Sequence, residues 1–113
     1  MKPLVFVPNK SPHDYSKAWD FGDLVFCTQG ELNNLDVLTM QSELEAAMED
    51  AQPDDYILIS SLSSLCGVAC AIFAHRFGRL NLLLYKNGRY VVKQLTFTKE
   101  QQSANPEQTS ATT

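Results

Sequence analysis

The sequence predicts a single α/β domain: a mixed five-stranded sheet with a parallel centre, two crossover helices and a C-terminal β-hairpin. Three observations carry this. Tyr56–Ser60 (YILIS) is an apolar run without alternation, which reads as a strand covered on both faces. An apolar helical stretch, Leu65–Phe77, separates it from a second such run, Leu80–Lys86, and a strand–helix–strand crossover returns the chain in the same direction. Asn87-Gly88 then leads into Tyr90–Phe97, the residue pair that a two-residue type I′ hairpin turn requires.

The remaining elements follow in order. Pro3–Pro8 (PLVFVP) is a short apolar strand bracketed by prolines, which suits an edge position or a strand terminus. Asn9–Gly22 reads as an ordered polar and aromatic loop with one helical turn from Ser16 to Trp19. Asp23–Thr28 (DLVFCT) is a buried strand ending at Gln29-Gly30. Asp36 or Thr39 can cap a helix running to about Ala51, with Val37, Met40, Leu44, Met48 and Ala51 forming one apolar stripe. Pro53-Asp54-Asp55 stops it. The next helix opens with Ser63 or Ser64 as N-cap and ends in His75, Arg76 and Gly78, the preferred chemistry of a C-terminus. The strands Leu24–Thr28, Tyr56–Ser60 and Asn81–Tyr85 are expected to lie parallel at the centre, with the return strand as an edge guarded by Lys93.

A chain of 113 residues with 44% apolar composition is one globular domain, assigned here to residues 1–98. From Lys99 onward there is no large apolar residue, and residues 99–113 are expected to be a disordered polar tail. No apolar run reaches the 18 or so residues of a membrane span, and Met1-Lys2-Pro3 leads straight into a strand without a signal-peptide pattern. Together these point to the cytoplasm.

Charge is segregated. Ten carboxylates and no Lys or Arg lie between Lys17 and Arg76, whereas Arg76, Arg79, Lys86, Arg89, Lys93 and Lys99 follow without an intervening acid. The net charge of −4 hides a dipolar molecule, of a kind that steers partners and does not favour direct nucleic-acid binding through the acidic half. A surface whose signs merely happen to separate fits equally well. Ten acids also permit polyanion mimicry, although the apolar strands between them leave the charge too dilute for it.

Three constellations bear on function. The serine-rich turn Ser60, Ser61, Ser63, Ser64, with Thr28 and Gln29 beside it, lies where open α/β sheets place anions, so a nucleotide or small anion is one reading. It lacks the glycines and lysine of a phosphate loop, and serines cap helices for structural reasons alone. The loop bearing His13, Tyr15, Trp19 and Phe21 gathers aromatics of the kind that anchor interfaces, or that lid an incomplete core. Cys27, Cys66 and Cys70 are odd in number and sit in apolar segments. Cys66-x3-Cys70 lies on one helical face without third and fourth ligands nearby, so the cysteines read as small buried hydrophobes and no metal or other cofactor is expected. Catalysis would need a nucleophile beside a base, and only His13 and His75 are available; no catalytic residue is assigned.

The segments His13-Asp14-Tyr15-Ser16, Phe21–Phe26 (FGDLVF), Asp55–Leu58 (DYIL) and Ala74–Leu83 (AHRFGRLNLL) resemble those of small accessory proteins encoded by tailed bacteriophages, over Lys2 to about Leu95. The resemblance implies a phage protein working in a bacterial cytoplasm, often as a binder that inhibits or redirects a host factor, and no particular activity. Two readings therefore stand: a non-enzymatic protein that binds a host protein or itself, with a homodimer as one form, and a nucleotide or small-anion binder, or small enzyme, using the serine-rich turn.

Overall fold

The computed structural model describes residues 2–29, 35–59 and 63–97. Eight elements follow one another: β1 (Leu4–Val7), a short 3-10 helix (Ser16–Asp20), β2 (Asp23–Phe26), α1 (Val37–Ala47), β3 (Tyr56–Leu58), α2 (Ser63–Phe77), β4 (Arg79–Lys86) and β5 (Arg89–Thr96). They form one five-stranded mixed sheet in the order β2-β1-β3-β4-β5. The first four strands run parallel and β5 pairs antiparallel with β4. The expected tail, 99–113, lies outside the described residues.

Of the two positions that the bracketing prolines suit, the strand terminus holds and the edge does not. β1 is flanked by β2 and β3, and β2, expected as a buried central strand over Leu24–Thr28, takes the edge instead, with Asp23 exposed and Leu24–Phe26 half-buried. Pro3 and Pro8 fall just outside the paired residues Leu4–Val7, so they bound the strand without costing it a ladder bond. Gly22 makes the β1–β2 approach possible: a Cβ there would lie 2.1 Å from the Pro3 carbonyl oxygen. Asp23 N–H donates to that same oxygen at 3.0 Å.

The strand order dictates the layers. The β1-to-β2 connection moves one way across the sheet, while those carrying α1 and α2 move the other way. Connections of one hand that run in opposite directions must cross on opposite faces. Hence α1 and α2 pack on one face, where Met40, Leu44 and Met48 meet Phe6, Ile57, Leu65, Ala69 and Phe73. The 3-10 helix and its loop cover the other, where Tyr15 and Ala18 meet Val5, Val7, Leu58, Leu83 and Tyr90. The aromatic loop is thus the lid that a two-helix sheet lacks on its second face.

Local chemistry accounts for the ends. Asp36 caps α1, its Oδ1 accepting from Thr39 N–H at 3.3 Å. The stripe Met40, Leu44, Met48, Ala51 is buried as its spacing requires, but Val37, the first residue of the helix, is exposed. The helix stops at Ala47, and Arg76 from α2 donates to the Met48 carbonyl at 2.5 Å and to that of Glu45 at 3.5 Å. α2 begins at Ser63, so Ser63 and Ser64 are first-turn residues rather than caps. Asn87 and Gly88 both take positive φ, 54° and 83°, as the hairpin turn demands.

One buried polar tie joins three strands. Asp55, just before β3, accepts from Leu4 N–H at 2.9 Å and from Gln52 N–H at 2.8 Å. Asn81 in β4 is 1% exposed. Its amide donates to the Pro53 and Asp55 carbonyls, each at 2.8 Å, while its oxygen accepts from Gln94 at 3.1 Å and Arg79 at 3.3 Å. Arg79 also pairs with Asp54 at 3.5 Å, an exposed contact of little energetic weight.

Candidate functional site

The chain leaves β1 toward β2 and leaves β3 toward β4, so adjacent connections diverge between β1 and β3. Open α/β sheets form their ligand crevices at the carboxyl ends of strands where connections part in this way. The loop after β1 crosses that end and is pinned at several points. Lys10 N–H donates to the Thr28 carbonyl at 2.9 Å, and Lys10 bridges Gln29 in parallel register. Thr28 Oγ1 lies 2.8 Å from both the Pro8 carbonyl and Asn9 Oδ1. Asp14 Oδ1 accepts from Ser16 N–H at 3.0 Å. That backbone bond, before any other cause, holds the exposed Asp14 carboxyl below its ordinary range.

Past this anchor the loop and the hairpin build an aromatic cluster. The buried Tyr15 has its hydroxyl 3.2 Å from Ser11 N and 3.1 Å from Ser11 Oγ, and its ring meets Phe26 edge-on at 5.3 Å. His13 Nε2 shares a hydrogen bond of 3.0 Å with the Tyr90 hydroxyl. The imidazole stands edge-on to Tyr15 at 4.9 Å, Tyr85 at 5.2 Å and Tyr90 at 6.4 Å, and Tyr85 meets Tyr90 at 5.1 Å. Burial, then the neighbouring Tyr15, Tyr85 and Asp14, push the Tyr90 phenol upward. Tyr90 therefore keeps its proton and is not poised as a phenolate. Lys17 Nζ closes the arrangement by donating to the Gly88 carbonyl at 2.8 Å.

Between loop and sheet lies a cleft of about 300 Å³, lined by Ser11, Pro12, His13, Tyr15, Leu58, Ile59 and Tyr85. Its walls mix a hydroxyl and an imidazole with apolar and aromatic surface. The imidazole shares its hydrogen bond with the Tyr90 hydroxyl, and the nearby Ser11 hydroxyl lies 3.1 Å from that of Tyr15. Two thiols are made unreactive by environment: burial pushes Cys27 up to about 12 and Cys70 up to about 11, the latter also through Cys66. Among the described residues, no three of His, Cys, Asp and Glu gather closely enough to hold a metal ion.

The site residues expected from sequence are distributed unevenly around this cleft. His13 and Tyr15 line it. Trp19 is 47% exposed and does not line it, and Phe21 is half-buried, its ring edge-on to Tyr56 at 6.0 Å. Thr28 is buried and spent on the loop, while Gln29 is exposed beside Lys10. Ser60 and Ser61 lie outside the described residues, Ser63 begins α2 and Ser64 is half-buried in its first turn. Sequence reasoning missed Ser11, Pro12, Tyr85 and Tyr90. The tyrosines were accessible in principle, because a two-residue turn at Asn87-Gly88 pairs Lys86 with Arg89 and then Tyr85 with Tyr90.

No helix among the described residues is long and apolar enough to cross a membrane. A family model described as Phage Pam3 gp32-like protein matches residues 3–107, and the chain belongs to that family. No curated protein and no solved structure matches it.

Proposed function

From its membership of that phage family, we propose that the chain is an accessory protein that binds and modulates a host protein in the bacterial cytoplasm, without catalysing a reaction on it. The observation that carries the reading is the cleft at the carboxyl ends of the strands, where the exposed Tyr85 and His13 stand over an apolar floor of Leu58 and Ile59. A rigid aromatic rim around a small cavity suits one inserted side chain of a protein partner, since aromatic anchors in such pockets dominate interface energy. The test is capture of a partner from host lysate by the tagged chain, repeated with Tyr85→Ala and His13→Ala. Capture lost in both variants, with their thermal unfolding still cooperative, supports the reading. Capture retained by both, or no partner captured by the parent chain, refutes it.

The second reading is a nucleotide or small-anion binder. It is favoured by the position of the cleft between the diverging connections, with Ile59 leading directly to Ser60. A nucleotide at one hundred times its dissociation constant would stabilise the fold by about 2.7 kcal/mol, an effect weakened by Ser64→Ala. No thermal shift with any nucleotide removes it.

A further inference from the structure

We propose that the chain forms a two-fold symmetric dimer in which the α1–α2 layer of one copy packs on the α1–α2 layer of a second. The two helices cross the same face of the sheet and run parallel, since each descends from the carboxyl ends of the strands to their amino ends. Their outer seam is a groove of about 420 Å³ with Val68, Ala71 and Ile72 on one wall and Gln41 and Glu45 on the other. Beside that groove Leu38 stands on the outward crest of α1 at 77% exposure, one turn before Gln41 and two before Glu45. The facing crest of α2 is made of small side chains, Gly67 and Ala71, and a Cβ added at Gly67 would meet nothing within 4 Å. A large knob and a low crest on the same patch meet the requirement of an isologous interface, which must complement itself.

Charge selects the orientation and the occupant. Every charged residue within α1 is acidic, Glu43 and Glu45, and every titratable basic group within α2 lies at its end, His75 and Arg76. Arg76 reaches the Met48 carbonyl at 2.5 Å and the Glu45 carbonyl at 3.5 Å, so the two helices lie alongside one another at an offset between 28 and 31 residues. A two-fold axis parallel to the helices sets α1 of one copy on α2 of the other at unchanged height. Leu38 then falls level with residues 66–69 of the second copy, against the low crest at Gly67, and Glu45 falls level with residues 73–76, beside His75. A single operation thus matches shape at one end and charge at the other, twice over. The alternative axis, perpendicular to the helices, would lay the acidic α1 on its own copy.

Sedimentation equilibrium on the full chain tests this, with Leu38→Asp, Ala71→Arg, Glu45→Lys, His75→Glu and the double change Glu45→Lys with His75→Glu. The parent chain should show twice the chain mass. Leu38→Asp and Ala71→Arg, both at exposed positions, should be folded monomers. Glu45→Lys should weaken association by about tenfold or more, and the double change should restore it, because the lysine then meets a carboxylate across the axis. Thermal unfolding of each variant separates loss of dimer from loss of fold, and Ala71→Arg stands in should Leu38→Asp fail to fold. A parent chain monomeric throughout the micromolar range, an assembly that survives both Leu38→Asp and Ala71→Arg, or no recovery in the double change overturns the proposal.

Discussion

Asn81 is the sharpest place to test how this sheet is held together. It interrupts the apolar stretch Leu80–Leu84 of β4, and its amide supplies donors to two carbonyls at the entrance of β3. Asn81→Ala removes both donors and leaves the Asp55 carbonyl in a buried position without this partner. At about 1 kcal/mol for each neutral bond, plus about 1 kcal/mol, the low end of its range, for a carbonyl left unsatisfied, the loss comes to about 3 kcal/mol. For a domain of this size that lowers the melting temperature by roughly 12–24 °C. Asn81→Asp is the more discriminating change, because it keeps the shape and replaces the donor by an oxygen facing two carbonyl oxygens. Ionised, it should be at least as damaging as alanine. Burial and the two facing carbonyl oxygens disfavour that charge more than the partly exposed Arg79 guanidinium at 3.3 Å favours it, so the folded pKa of the new carboxyl is raised above its unfolded value. Its deficit relative to the parent chain should therefore be largest at neutral pH and shrink as pH falls and the carboxyl gains a proton to donate. Chemical denaturation of the three proteins between acid and neutral pH reads both effects. A deficit below about 1 kcal/mol for Asn81→Ala, or an Asp variant whose deficit does not change with pH, would refute this account of the buried tie.

Three further outcomes can be measured on the same preparations. Gly22→Ala should cost about 2 kcal/mol or more in denaturant unfolding, because its Cβ would fall 2.1 Å from the Pro3 carbonyl and force β1 and β2 apart. Gly67→Ala, made in the monomeric Leu38→Asp background, should instead stabilise the chain by up to about 1 kcal/mol, since within one copy the site is open and alanine is the better helix former. Cys27 and Cys70 should resist alkylation at neutral pH until the protein unfolds, as read by mass spectrometry of labelled peptides. Their raised thiol pKa values also mean a contribution to stability that is whole at neutral pH and erodes above the ordinary thiol range.

How much of this architecture was legible depended on how local its cause is. Asn87-Gly88 specifies its own turn through two positive φ values, and the register of β4 and β5 follows from it residue by residue. The spacing of Met40, Leu44 and Met48 buries one face of α1 wherever that helix is placed. Lateral strand order has no such local cause. The prolines around Leu4–Val7 resembled the mark of an edge, yet they say only where pairing stops along the strand, not how many neighbours it has. Asn81 was hidden for a similar reason: in sequence it is one polar residue opening an apolar run, and its partners Pro53, Asp55 and Gln94 are far along the chain. The candidate site was half visible. His13 and Tyr15 drew notice as residue types, but their meeting with Tyr85 and Tyr90 required the loop to cross the sheet.

The sequence by itself determined the element types, the hairpin, the parallel crossovers and the phage resemblance, because periodicity, turn chemistry and local motifs are written in neighbouring residues. Only the tertiary structure decided that β1 lies inside the sheet, that the aromatic loop and the helices take opposite faces, and that a cleft opens at His13. Those outcomes turn on which way each connection travels, and direction is settled by packing between residues that the chain itself keeps far apart.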